Sequence, residues 1–344
     1  MKELVKIGVI GAGRIGRLHI KHLAKSVPGA ELIGIADINV DEELLMWAKG
    51  LGIENVYSDP YELINLPDLD AVVICSSTNT HVDLMIAAAE AGKDIFLEKP
   101  IDIEIEKAIK GIRAVEKTGV KIQMGFVRRF DHNYKKVKET VDSGKLGKIH
   151  IVKITSRDPL PPSFEYAKVS GGMFMDMTIH DFDMARFLSG SEVEEVSAFG
   201  TAMMDTQLEK IGDIDIATTM LRMKNGALCI IDNTRKSGYG YDLRSEVQCE
   251  NGCVQSSNDN PTTTVISTMD GVTSDLPKWF FIERFEDAFL EEMISFVDDI
   301  RNDRVPEIGL EDGIASMLIA RAAKISADEG RIVKMSELEE IICQ

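Results

Sequence analysis

Basic residues are scarce in this chain. Lys and Arg total 39 against 57 Asp and Glu, a formal net charge of −18 over 344 residues. A nucleic acid or an anionic membrane as partner would need a basic face, and the balance argues against both. Long apolar runs are missing too: none approaches the roughly 20 residues of a membrane-crossing helix. The start, Met1-Lys2-Glu3-Leu4-Val5-Lys6, leads into a strand-like run without a leader-like segment, and a cytoplasmic location is expected. The five cysteines, Cys75, Cys229, Cys249, Cys253 and Cys343, are odd in number and scattered. They read as reduced, structural thiols and exclude a disulfide framework. Cys249-Glu-Asn-Gly-Cys253 resembles half a metal site, but no second Cys or His pair accompanies it and Asn251-Gly252 is a hairpin signal. The two cysteines are expected to be strand residues flanking a turn, and no metal is expected. Repeats, low-complexity tracts and flexible linkers are also absent.

What is present begins with an apolar run, Val5 to Ile10, followed by Gly11-Ala12-Gly13-Arg14-Ile15-Gly16 and then a second strand-like run ending at Asp37. The pattern is that of a dinucleotide-binding βαβ unit. Gly11 permits the tight turn, Gly13 lets the backbone approach a pyrophosphate at a helix N-terminus, and Gly16 lets that helix pack against the sheet. Asp37 stands where it can accept hydrogen bonds from the adenosine ribose. Its charge would repel a 2′-phosphate, and Ile38-Asn39-Val40 supplies no arginine, so NAD is favoured over NADP.

The length suggests about two domains, and 44% hydrophobic with 28% charged residues is ordinary for chains that bury real cores. To about residue 125, strands (6–10, 31–36, 70–75, 94–97, 121–124) alternate with helices (15–24, 41–49, 81–91, 103–117), which builds a doubly wound parallel sheet, a Rossmann domain over 1–125. Beyond about 145, strand-like runs at 148–156, 193–204, 214–223, 226–236, 242–250 and 262–268 predict a large, mainly antiparallel open sheet. With helices at 172–188, 281–301 and 310–328, this makes residues 126–344 an α+β domain. A cleft at the carboxyl ends of the parallel strands would take the ligands.

Three segments are candidates for that cleft. Ser76-Ser77-Thr78-Asn79-Thr80-His81 follows a strand and opens a helix, with hydroxyls and amides placed to meet a cofactor; Thr80 or Asn79 could equally serve as a helix cap. Glu98-Lys99-Pro100 ends a strand, because proline cannot continue one, and presents Lys99 at the sheet's carboxyl edge. Asp176 and His180, four residues apart in an apolar segment, would share one helix face. A carboxylate beside an imidazole is a standard general base, and oxidising an alcohol requires removal of one proton as the hydride leaves.

These segments, with Gly125-Phe126-Val127-Arg128-Arg129-Phe130-Asp131, Ser156-Arg157-Asp158-Pro159 and Tyr239-Gly240-Tyr241-Asp242, resemble the glucose-fructose oxidoreductase and inositol dehydrogenase superfamily, most closely its inositol branch, across nearly the whole chain. The resemblance implies that His180 is the acid/base, Asp176 its partner and Lys99 the third member, with a cis Lys99–Pro100 bond. It implies a cofactor site of Gly11, Ala12, Gly13, Arg14, Ile15, Gly16, Asp37, Ser76, Ser77, Thr78, Asn79, His81, Glu98 and Lys99. Arg128, Asp158, Tyr239 and Tyr241 would line a polyol pocket with the catalytic three, and strand periodicity puts both tyrosines on one face. The implied activity is NAD-dependent oxidation of myo-inositol or a close cyclitol by a homotetramer. Asp158 stands where some relatives carry asparagine, which leaves the preferred stereoisomer open. The rivals are the same chemistry on scyllo-inositol, chiro-inositol or an aldose, and a silent NAD-binding sensor, which the intact Lys99, Asp176 and His180 set disfavours.

Overall fold

In the computed structural model of the chain, which describes residues 3–338, the apolar runs of the first third form parallel strands β1 (Val5–Ile10), β2 (Ala30–Ala36), β3 (Val56–Tyr57), β4 (Ala71–Ile74), β5 (Asp94–Glu98) and β6 (Ile122–Gly125). They lie in the order β3-β2-β1-β4-β5-β6, so the direction of winding reverses between β1 and β4, where doubly wound sheets bind ligands. Helices α1 (Arg14–Lys25), α2 (Glu42–Gly50), α3 (Pro60–Ile64), α4 (His81–Glu90) and α5 (Ile105–Val115) make the crossovers. Every residue of β4 is buried, which is why its sequence, Ala-Val-Val-Ile, is continuously apolar and does not alternate. Caps set the helix starts: Asp41 accepts from the Leu44 N–H at 2.8 Å, and Asp59 caps α3 ahead of Pro60.

The second sheet holds β7 (Ile149–Arg157), β8 (Val193–Thr201), β9 (Ile216–Met223), β10 (Leu228–Thr234), β11 (Asp242–Cys249) and β12 (Gly252–Ser256), with a short β15 (Val333–Lys334) at its edge. Its order is β12-β11-β7-β10-β9-β8-β15, and only β7 with β10 runs parallel. The mainly antiparallel expectation therefore holds. The last run in it does not: β13 (Val265–Thr268) pairs only with β14 (Gly271–Ser274), as a separate hairpin. Cys249 and Cys253 flank the expected turn between β11 and β12; Cys343 lies outside the described residues. The remaining helices are α6 (His132–Asp142), α7 (Phe164–Ala167), α8 (Gly172–Asp176), α9 (Ile179–Ser189), α10 (Phe281–Arg284), α11 (Glu286–Arg301) and α12 (Leu310–Glu329). No described helix is long and apolar enough to cross a membrane.

Two expected helices are each split. The segment 172–188 breaks after Asp176, where the Met177 and Thr178 N–H groups both donate to the Met173 carbonyl and helix resumes at Ile179. The Thr178 hydroxyl donates sideways to Asn233 Oδ1 at 3.1 Å, a tertiary bond invisible to helical periodicity. Residues 281–301 likewise break at Phe285.

Packing groups the chain into two compact units: residues through Phe130 with Asp287–Ala315, and Asp131–Glu286 with residues from Ser316 on. In the first, α11 returns from late in the sequence to bury Met293, Phe296, Val297 and Ile300 among Val5, Ile7, Val9, Ile20, Ile35 and Phe96. The Gln123 amide donates to the Glu292 carbonyl at 3.1 Å, tying α11 to β6.

At the first turn, a Cβ on Gly16 would lie 1.8 Å from the Gly11 carbonyl oxygen. Gly16→Ala is therefore expected to push α1 off the sheet. Overpacking of this kind costs on the order of 1–3 kcal/mol, read as a lower melting temperature accompanied by loss of NADH binding in a fluorescence titration.

Candidate active site

Gly11 has φ +96°, and a Cβ there would sit 2.6 Å from the Cys75 carbonyl oxygen, so only glycine fits the turn. The Ala12 N–H donates to Asp37 Oδ2 at 2.7 Å and the Asn39 N–H to Oδ1 at 2.8 Å. Asp37 thus braces the glycine turn and keeps lone pairs for a ribose. A Cβ on Gly13 would meet nothing within 4 Å, and Gly13 precedes α1 with no side chain to cap it. Arg14 is exposed and Ile15 half-buried in that first turn. This bare helix start, Asp37 and the glycine turn fit a dinucleotide: the free N–H groups suit a phosphate and the carboxylate suits hydroxyl donors.

Beyond the crossover, Ser76 Oγ lies 2.7 Å from Thr80 Oγ1, which itself donates to the Ser77 carbonyl. Thr80 therefore holds the N-cap position of α4 without capping it through its side chain. Thr78 and Asn79 form a 3-10 turn, and the Asn79 carbonyl accepts from Lys107. His81 is buried, its Nδ1 2.8 Å from the Pro100 carbonyl oxygen and its Nε2 3.0 Å from that of Ser76. The ring ties the 76–80 loop to the Glu98-Lys99-Pro100 turn. Burial pulls its pKa down despite those carbonyls. The Lys99–Pro100 bond is cis.

Beneath Glu98 is a buried group that sequence reasoning missed. His19 Nε2 lies 2.9 Å from Glu98 Oε1 and 3.7 Å from Glu292 Oε1, and the His19, Cys75 and Glu98 ligand atoms lie within 4.8 Å of one another. Burial, then the charge of Glu98, pushes the Glu292 carboxyl well above its ordinary range, and burial does the same to the Cys75 thiol. Burial thus favours the protonated form of both groups.

In the second unit, Asp176 ends α8 and His180 is the second residue of α9, so they do not share one continuous helix as expected. Tyr166 Oη donates to Asp176 Oδ1 at 2.9 Å, and Arg235 Nη1 lies 3.5 Å from Oδ2. Arg235 is itself buried and reaches toward Asp213, which accepts from the Met173 and Ile214 N–H groups. A signal for Arg235 existed: Cys229, Ile231, Asn233 and Arg235 continue one alternation, and polar residues in its buried phase mark an interior polar site. Below His180, Asn233 accepts from Thr178 and donates to Asp181 Oδ2 at 2.8 Å and to the Ser156 carbonyl.

Tyr239 and Tyr241 precede β11 in a loop, around Gly240 at φ +126°, so strand alternation does not apply and they diverge. Tyr239 is exposed and donates to Asp242, within 3.4 Å of Arg157. Tyr241 is buried edge-on against Phe285. Asp158 is half-buried just past β7, its main chain bonded to Thr234 and Ser237. Arg128 is buried in the 3-10 turn Val127–Phe130, while Arg129 pairs with Asp312 at 2.7 Å. Asp131 caps α6 and pairs with Arg284 at 2.6 Å, both buried.

Residues 5–126 match the oxidoreductase family with an NAD-binding Rossmann fold, and residues 134–255 match the GFO/IDH/MocA C-terminal domain. The chain is 46% identical to a myo-inositol 2-dehydrogenase of Thermotoga maritima over 97% of its length and 99% of the relative. It is similar to the crystal structure of a probable dehydrogenase from Thermotoga maritima, with TM-score 0.94 and 45% identity over 97% of this chain and 99% of that one. It is also similar to scyllo-inositol dehydrogenase from Lactobacillus casei with bound NAD(H) and scyllo-inositol, with TM-score 0.90 and 30% identity over 97% and 99%.

Two predictions follow from this geometry. Asp37→Ala removes the bond to Ala12 and the charge facing a 2′-phosphate. NAD affinity should fall about ten- to a hundredfold and the preference over NADP should narrow, as titration of both cofactors would read. Glu292 has its folded pKa above the unfolded value, so its favourable contribution is full below pH 4.5 and is lost as pH rises toward the folded pKa. Glu292→Gln should melt close to wild type near pH 4.5 and become the more stable of the two as the pH rises above it. Urea unfolding of both proteins across a pH series from about 4.5 upward checks it.

Proposed function

The chain belongs to the GFO/IDH/MocA family of oxidoreductases, and on that footing we propose that it oxidises a ring hydroxyl of myo-inositol, or of a close cyclitol, to the ketone with NAD. Bound NAD supplies a nicotinamide ring that accepts the hydride. His180 takes the hydroxyl proton. Asp176 supports the positive charge that the imidazole gains, and Lys99 hydrogen-bonds the reacting oxygen.

The observation that carries this reading is the immobilisation of Asp176. Tyr166 and Arg235 hold its carboxylate, and Asp213 backs Arg235 from behind. A carboxylate fixed in this way is suited to orienting an acid/base. Glycine-turn residues 11–16, Asp37 and the 76–79 loop hold the cofactor, and Glu98 lies at its nicotinamide end. Arg128, Asp158, Tyr239 and Tyr241 bind the ring hydroxyls; of these Asp158 is half-buried and Tyr239 exposed, while Arg128 and Tyr241 are buried. In this assignment residues 1–125 serve the cofactor, with α11 returned beneath them, and 126–344 serve substrate and subunit contacts.

The open face of the second sheet carries Phe199 at 73% and Met220 at 48% exposure. A face of that kind supports assembly of a cytoplasmic homotetramer, which light scattering would read.

NADH formation across myo-, scyllo- and chiro-inositol, an aldopyranose and sorbitol tests the assignment. Myo-inositol should give the highest kcat/KM and sorbitol almost none, because unmatched buried polar groups reject analogues strongly. Asp158→Asn should reorder the stereoisomers, with scyllo-inositol the first competitor, while leaving NADH affinity unchanged. His180→Ala should bind NADH yet lose about 10²- to 10⁴-fold in turnover. An aldose or sorbitol outrunning every cyclitol would overturn the inositol assignment.

A further inference from the structure

We propose that His19 is a positioning residue for this dehydrogenase: it holds the Glu98 carboxylate against the end of β5 and so fixes the strand terminus from which Lys99 projects. The proposal rests on the dehydrogenase reading above. His19 lies on α1 one turn beyond Gly16, fully buried, with its ring set edge-on against Phe96 at 5.3 Å and Phe289 at 5.7 Å. Those two rings leave the imidazole little freedom to turn. Its Nε2 stands 2.9 Å from Glu98 Oε1.

On the neighbouring strand, a Cβ on Gly125 would come within 2.9 Å of Glu98 Oε2. One carboxylate oxygen therefore meets the imidazole and the other lies where only a bare Cα leaves room for it. Burial favours the protonated form of Glu292, whose Oε1 lies 3.7 Å from the same imidazole nitrogen, which lessens the repulsion between the two carboxyls. Glu98 and Lys99 share a peptide, so fixing the first side chain restrains the main chain that carries the second. Asp37, just past the end of β2, would mark the adenosine end of the sheet, and β5 lies across the crossover from it, on the side where the nicotinamide would belong.

Wild type, His19→Leu, His19→Gln and Gly125→Ala would be compared by turnover with NAD and the best cyclitol, by NADH fluorescence titration, and by amide exchange over residues 98–104. The Leu and Ala variants are expected to lose about ten- to a hundredfold in kcat with little change in NADH affinity, and to exchange faster over 98–104. Gln, whose amide can donate from near the Nε2 position, should recover most of both. The proposal is overturned if Leu and Ala leave kcat and exchange at wild-type levels, or if Gln is as impaired as Leu, since packing alone would then explain His19. Should His19→Leu fail to fold, Gly125→Ala displaces the same carboxylate without removing the buried ring. If wild type turns over no polyol, the dehydrogenase reading falls, and the exchange comparison still decides whether His19 fixes this segment.

Discussion

Three stretches of main chain meet at Gly11 with no side chain between them. The carbonyl of Cys75 at the end of β4 comes so near that a Cβ on Gly11 would overlap it, and Gly16 on α1 rides against the carbonyl of Gly11 itself. Because these contacts involve backbone alone, they set the distance between β1, β4 and α1 independently of how the surrounding side chains pack. The consequences spread outward. Asp37 can reach the Ala12 N–H only if the turn is this tight, and His19, one turn along α1, can meet Glu98 only if the helix lies this close to the sheet. The cofactor end and the buried support of the Glu98-Lys99-Pro100 turn are two results of one steric constraint.

The second unit is organised by polar groups in its interior. Asn233, at the end of an otherwise apolar inward row on β10, joins Thr178, Asp181 and the main chain of β7. Arg235, two residues further, is enclosed with Asp176 and Asp213. Buried polar groups are costly unless satisfied, and when satisfied they allow a single arrangement. The segment bearing Asp176 and His180 is thus registered against the sheet by directional bonds, where apolar packing alone would tolerate sliding.

Much of the first unit could be read from sequence because a parallel strand covered on both faces must be apolar throughout, as Ala71–Ile74 is, and because amphipathic helices lie between such strands. The glycine turn and Asp37 were visible for the same reason: each is a local requirement. What escaped was set by contacts between distant residues. The two-residue β3 carries too little pattern. The break at Met177–Thr178 depends on Asn233, and the divergence of Tyr239 from Tyr241 depends on one glycine at positive φ. Glu292 was hidden among the acidic residues of an amphipathic helix; only the return of that helix to the first sheet makes it a buried acid.

That return also bears on how the chain is made. The last strand of the first sheet ends at Gly125, whereas the helix that completes its core begins at Glu286, so Asp131–Glu286 is synthesised before the first unit can be closed. Until then the nucleotide unit lacks Met293, Phe296, Val297 and Ile300, which complete its core. Domains that emerge complete can fold in order of synthesis; here the first unit to emerge is completed only near the end of synthesis, when α11 follows.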